Sequence, residues 1–387
     1  MTSKSRVPEL DGIRGIAILL VILLHFGARP SHVPRILTAS FALGWTGVDL
    51  FFVLSGFLIT GILLDTTDRP RFFSTFWFRR FLRIFPAYWL LLALYFLILR
   101  PMLAQHGIQT KPDSREFPWF MFYAANWMGL WGLQPGLLNH CWSLCVEEQF
   151  YLFWPVVIKL AGRRLLPAAC TAIVVLAVTF TIIFHGRSDM LYQSTLVRME
   201  PIAVGAMIAL AVRNHLWVDR IRKLLPLILI SSLLLVIFAL LRTGRLDGLS
   251  PQMQTIGYSG FAGIYGCLVF AGYLSSGTDS ILSRILSLPF LQSFGAYSYA
   301  IYLFHAPLSA WQNSALMYLA AGRSTSLQIL LWCSSKILGL SVSWGIGWLS
   351  WRVYERHWMA LRKYYPPRSK TKVQVSDQTA LIAARPE

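Results

Sequence analysis

Charged side chains are scarce in this sequence. Only 13% of its 387 residues are Asp, Glu, Lys or Arg, against roughly 25% in soluble domains. That excludes an ordinary water-soluble globule. Acid is scarcer still: 17 Asp and Glu stand against 35 Lys and Arg. Cysteine is sparse. Cys141, Cys145, Cys170, Cys267 and Cys333 lie in or beside apolar runs, without metal-ligand spacing, and read as small core residues. Gly-rich phosphate loops, HExxH and CxxC are absent, so the sequence offers no P-loop or zinc motif and no metal site is expected.

What is abundant is apolar and aromatic: 56% of residues are hydrophobic, with 15 Trp, 15 Tyr and 25 Phe. Runs long enough to cross a bilayer, about 17–25 residues, recur at 11–28, 41–64, 81–99, 143–160, 167–184, 195–212, 224–241, 256–274, 293–314 and 326–352. The expected fold is therefore all-α: a polytopic membrane protein with about ten transmembrane helices and both termini cytoplasmic. Phe117 to Leu133 is short, aromatic and broken by Gly. It reads as interfacial or re-entrant; if it spans, the later topology inverts. Lys and Arg gather at 4–6, 69–83, 159–164, 213–223 and beyond 352, the segments that ten spans leave inside. Positive-inside flanking thus accounts for the net charge of +18, and nucleic acid is not an expected partner. The first apolar run follows a short polar start with no A-x-A-like site, so it is expected to be retained as a helix. Residues 1–360 read as one membrane domain and 361–387 as a disordered basic cytoplasmic tail.

The first run, LDGIRGIAILLVILLHF, carries Asp11, Arg14 and His25. On a helix, Arg14 and His25 fall within about 20° of one another and roughly 16 Å apart along the axis, with Asp11 about 40° from His25. Ionisable groups on an intramembrane stripe are functional candidates. In the ten-span topology, Asp11 and Arg14 lie near the cytoplasm and His25 near the outside. Asp49, Glu147, Glu148 and His305 gather on the outer side with it. Arg79, Arg80 and Arg83 put cations at helical spacing on the cytoplasmic edge, which suits phosphate but also plain lipid head-group contact. Ser55 and Gly56 read as helix packing. Trp142 marks an interface ahead of Glu147 and Glu148, which point about 100° apart and so call for different partners. His140 beside Cys141 and Cys145 makes a thiol nucleophile conceivable. Arg198 and Glu200 sit at a helix end. Tyr299, Tyr302 and His305 share one face.

In order, LDGIRGIAILLVILLHF, GVDLFFVLSGFLIT, RRFLRIFPAYW, HCWSLCVEEQFYLFWP, RMEPIAVGAMIA, GAYSYAIYLFHAPL and YERHW resemble the motifs of the acyltransferase-3 family of integral membrane acyltransferases. The resemblance covers roughly 8–360. It implies a multi-pass protein of the bacterial inner membrane that moves an acyl group, most often acetyl, from cytoplasmic acyl-CoA to a hydroxyl of an extracytoplasmic glycan or glycolipid. It implies His25 as general base or transient acyl carrier, with Glu147 or Asp49 orienting the imidazole. Asp11, Arg14, Arg80 and Arg83 would hold the donor. Trp142, Ser143, Glu148, Arg198, Tyr302 and His305 would support substrate or structure. Cys145 stands where the family has another small residue, so no thiol is required. The hydrolase-like domain that some members append is not in the sequence, which suggests direct transfer to the glycan. The residues alone leave a second class open, a multi-helix transporter of a small solute, since intramembrane His, Asp and Arg also line transport paths. No repeat between the two halves favours it.

Overall fold

A computed structural model describes residues 7–34, 37, 41–245 and 247–364. Among them there is no strand, and nine long helices carry the fold. They are α1 Pro8–His25, α2 Gly47–Leu64, α3 Phe72–Gln105, α4 Trp142–Ile183, α5 Thr195–Ala211, α6 His215–Thr243, α7 Tyr258–Leu274, α8 Pro289–Ala320 and α9 Thr325–Ser350. The ten apolar runs are all helical, because α4 contains two of them. Its arms meet at Gly162, whose φ of 58° and ψ of −177° suit only a residue without Cβ. Of the expected tail 361–387, Leu361–Tyr364 forms a closing 3-10 turn and the rest lies outside the described residues.

Seven of these elements are long and apolar enough to cross a membrane by length and composition, α4 counted once. The ones outside that set carry polar groups: Glu9, Asp11 and Arg14 on α1, and Ser298, Tyr302, His305, Ser309 and Gln312 on α8. The burial pattern is that of a protein in lipid. Along α6, Leu227, Ile230, Leu234 and Leu241 face outward. Only Val218, Ser232 and Ala239 are buried there.

One boundary differs from expectation for a local reason. α3 starts at Phe72, not 81, since nothing breaks the helix across the arginines and Phe72 and Phe76 are buried on the same side. Phe117 to Leu133 makes no spanning helix. It folds as Phe117–Met121, then a 3-10 turn Ala125–Trp131 stopped by Gly132 at φ 68°.

The helices that matter for function pack backbone to backbone, which small residues allow. A Cβ on Gly15 would sit 2.1 Å from Leu291 O, and one on Gly295 1.9 Å from Asp11 O, so α1 lies directly on α8. Gly56 and Gly205 do the same for α2 and α5, each 1.9 Å from the facing carbonyl oxygen. α2 in turn packs on α4, and α8 on α3.

Candidate active site

α1 starts with Pro8 and places Glu9 and Asp11 in its first turn, as a helix N-terminus favours. One turn on, Arg14 donates to Asp11 at 2.7 Å. Arg80 and Arg83 approach from α3. Arg80 lies 5.2 Å over the Tyr151 ring, and among the described residues no carboxylate is within ion-pair distance of Arg80 or Arg83. These three arginines line a cavity of about 220 Å³. It runs along α2 from Ile62 to Val48, a rise of about 21 Å.

Midway, Ser55 Oγ donates to Glu147 Oε1, and Ser55 is also 3.0 Å from the Tyr151 hydroxyl. Glu148 lines the same wall. Ser143 and Tyr302 close the far end, their hydroxyls 2.5 Å apart, with Tyr302 donating to His140 O at 3.0 Å. Past Tyr302 three histidines touch. The His305 ring is 5.3 Å from that of Tyr302, 4.5 Å from that of His25 and 5.2 Å from that of His140.

The carbonyl partners fix the tautomers. His25 Nδ1 is 2.9 Å from Val21 O. A carbonyl only accepts, so Nδ1 bears the proton and Nε2 keeps its lone pair. His305 Nδ1 donates likewise to Tyr302 O at 2.6 Å, and His140 Nε2 to Leu303 O at 3.0 Å. The contacting rings form no group that could hold a metal ion, among the described residues.

The structure thus gathers Arg14, Arg80, Arg83, Ser143, Glu147, Glu148 and Tyr302 around one cavity and sets His25 and His305 just beyond it. Asp49 is elsewhere. Its carboxylate is 2.9 Å from Arg198, with both side chains almost wholly buried, at 2% and 1% exposed. Four rings surround that guanidinium: Tyr258 at 4.6 Å, Trp142 and Tyr192 at 5.3 Å, and Phe52 at 5.7 Å. So Asp49, Arg198 and Trp142 form a separate internal strut between α2, α4 and α5. Neither Asp49 nor Glu147 contacts the His25 imidazole; each is bound to the partner just named. Cys141 Sγ is 3.8 Å from His140 Nε2, but that nitrogen is already on Leu303 O, and no cysteine lines the cavity.

Sequence reasoning passed over Ser55, Tyr151 and Lys336. Ser55 and Tyr151 look like packing until the fold puts Glu147 between them. Lys336 had a usable signal: it is the single cation in the long apolar run of α9.

A family model described as "Acyltransferase domain", that of the acyltransferase-3 family, matches residues 7–348. The chain belongs to this family. Among this family member's relatives is "Peptidoglycan O-acetyltransferase OatA" of Listeria monocytogenes, 30% identical over 79% of this chain and 50% of that protein. "O-acetyltransferase OatA" of Staphylococcus aureus is 29% identical over 81% of this chain and 52% of that protein. "Putative peptidoglycan O-acetyltransferase YrhL" of Bacillus subtilis is 29% identical over 78% and 48%. The chain spans about half the length of the curated relatives it matches. No solved structure gives a significant match.

Proposed function

We propose that this acyltransferase is a multi-pass inner-membrane O-acetyltransferase, taking acetyl from cytoplasmic acetyl-CoA and delivering it to a hydroxyl of an extracytoplasmic glycan or glycolipid. The observation that carries this is the cavity itself: cationic at the Arg14, Arg80 and Arg83 end, uncharged at the Ser143–Tyr302 end, and followed there by His305 and, against it, His25, whose Nδ1 is held on a carbonyl so that Nε2 keeps its lone pair. Its length of about 21 Å suits a pantetheine-sized arm. The names of the relatives, which specify acetyl and, for two of them, peptidoglycan, favour acetyl and a cell-wall glycan over the alternatives.

In this mechanism the arginines hold the CoA phosphates by charge-assisted hydrogen bonds, with Asp11 fixing Arg14. The thioester lies at the Ser143–Tyr302 end; there the Ser143 hydroxyl turns its one proton from the Tyr302 oxygen to the thioester carbonyl oxygen as charge develops, while Tyr302 stays on His140 O. His25 Nε2 takes the proton of the acceptor hydroxyl. The acceptor oxygen bonds to the thioester carbon, the C–S bond breaks, and the departing thiolate recovers the proton from His25. In a two-step form, Nε2 attacks the thioester carbon, the C–S bond breaks and the CoA thiolate leaves; the acceptor oxygen then attacks the resulting acylimidazolium, the N–C bond breaks to restore Nε2, and the hydroxyl proton neutralises the thiolate. Val21 O stabilises the imidazolium through Nδ1, the part played by a carboxylate in a triad. Ser55 and Glu147 brace the cavity wall.

The test is mass spectrometry of cell-envelope glycans from cells with the protein, without it, and with His25→Ala. Loss of an acetyl mass in both altered strains is expected. Normal acetylation by His25→Ala, correctly inserted, overturns the role of that histidine.

A further inference from the structure

The last turn of any helix leaves carbonyls with no intrahelical donor, and the last turn of α1 is the one that presents His25. Phe26 N–H returns to Ile22 O at 2.9 Å. The carbonyls around His25 are taken by side chains from two other helices. Lys336 Nζ, from α9, donates to Leu23 O at 2.9 Å and to Phe26 O at 3.0 Å. Asn313 Nδ2, from α8, donates to His25 O at 2.7 Å, and its Oδ1 accepts from Ala28 N–H at 3.4 Å. So the backbone is gripped on both sides of His25 and at His25 itself.

Lys336 is otherwise hard to explain. It is 6% exposed. Among the described residues no carboxylate lies within ion-pair distance of it. Its ammonium rests against the faces of Phe41 at 4.4 Å and Trp332 at 4.8 Å. A lysine within a span ordinarily snorkels to the interface; this one is turned inward onto a helix C-terminus, where a cation is favoured. One turn along α9, Gly339 receives the ring of Phe26: a Cβ there would lie 2.6 Å from it. The same face of α9 therefore holds the end of α1 by charge and by shape.

We infer that Lys336, seconded by Asn313, is a positioning residue for His25. It fixes the height and rotation of the last turn of α1, so that the imidazole keeps Nδ1 on Val21 O and Nε2 toward the reacting atoms. Its kinetic consequence rests on the acyl-transfer reading; its structural consequence does not.

The experiment compares wild type, Lys336→Met, Lys336→Arg and Asn313→Ala, each purified in detergent with lipid. Two quantities are read: kcat and KM for acetyl-CoA, and deuterium uptake over residues 19–30 by mass spectrometry. A misplacement near 1 Å can cost on the order of 100-fold in rate. Lys336→Met is expected to lose about 10- to 100-fold in kcat with KM for acetyl-CoA changed by less than about two-fold, since the arginines are untouched. Uptake over 19–30 rises. Lys336→Arg, which keeps the donors and the charge, recovers part of both, and Asn313→Ala moves both in the same direction as Lys336→Met. Unchanged uptake in Lys336→Met overturns the proposal, as does a KM rise that matches the fall in kcat. Should Lys336→Met not fold, Asn313→Ala decides by the same two readouts. A wild-type protein that transfers no acetyl group would sink the proposed function, and the uptake comparison would still decide the positioning.

Discussion

Asp49→Asn is expected to be among the most destabilising single changes in this protein. The carboxylate and the Arg198 guanidinium are 2.9 Å apart and 2% and 1% exposed. Removing one partner of such a pair leaves a buried charge uncompensated, which costs about 3–5 kcal/mol. The four rings around Arg198 are present before and after the change, so their attraction for the cation, about 0.5–2 kcal/mol each, does not offset the loss. Asp65 and Arg213 serve as the control: that pair is 2.8 Å apart but 49% and 26% exposed, and Asp65→Asn should cost no more than about 1 kcal/mol. The assay is reversible unfolding in mixed micelles, followed by tryptophan fluorescence. Trp142 beside Arg198 is one of the 15 tryptophans whose summed emission follows global unfolding. A double variant, Asp49→Leu with Arg198→Met, removes both charges and should recover most of the lost stability. If Asp49→Asn lies within about 1 kcal/mol of wild type, or the double variant is no better than the single, the strut reading is wrong.

Three further outcomes follow from the geometry. Arg80→Gln and Arg83→Gln should each raise KM for acetyl-CoA by about 10- to 100-fold, one charge-assisted hydrogen bond being worth about 1.5–3 kcal/mol, with little effect on kcat; initial rates against donor concentration check this. Gly56→Leu places a Cβ 1.9 Å from Ile202 O and should destabilise by at least about 1–3 kcal/mol, seen as a lower unfolding midpoint in the same micelles. In the loop after α3, Asp113 is held below the usual carboxylate range by Lys111 and then by the Arg115 amide. A depressed folded value means the contact contributes above the unfolded value near 3.9 and is lost as pH falls through the folded one. The loop 106–116 should therefore open in acid, and Asp113→Asn should show that opening already at neutral pH, read by hydrogen exchange.

How much was legible beforehand depended on whether the signal was periodic or three-dimensional. Apolar run length located all ten helical segments, because lipid demands it of each run separately. The start of α3 was misplaced because the arginines that look like a flank are on a helix whose other face is buried. The cationic edge at Arg80 and Arg83 was legible from its helical spacing, whereas its meeting with Arg14 on one cavity wall is a matter of how α1 and α3 pack. The partners of the carboxylates were not. Asp49 and Arg198 are 149 positions apart in the sequence, and only the Gly56–Gly205 crossing of α2 and α5 brings them together. Nor could spacing show that a backbone carbonyl, Val21 O, stands where a carboxylate was expected beside His25. Lys336 was visible as an isolated cation, but its target, the end of a helix some 310 residues earlier, was not.

The central claim is vectorial: acetyl enters from the arginine end and leaves at the histidine end. Its most direct test is reconstitution in sealed, oriented liposomes, with labelled acetyl-CoA on the cytoplasmic face and a glycan oligosaccharide on the other, and mass spectrometry of the oligosaccharide. The expected result is an acetyl ester on the oligosaccharide with wild-type protein, none with His25→Ala, and none when donor is supplied only on the acceptor side. Ester formation by His25→Ala at the wild-type rate, or equal transfer with donor on the acceptor side, would contradict it.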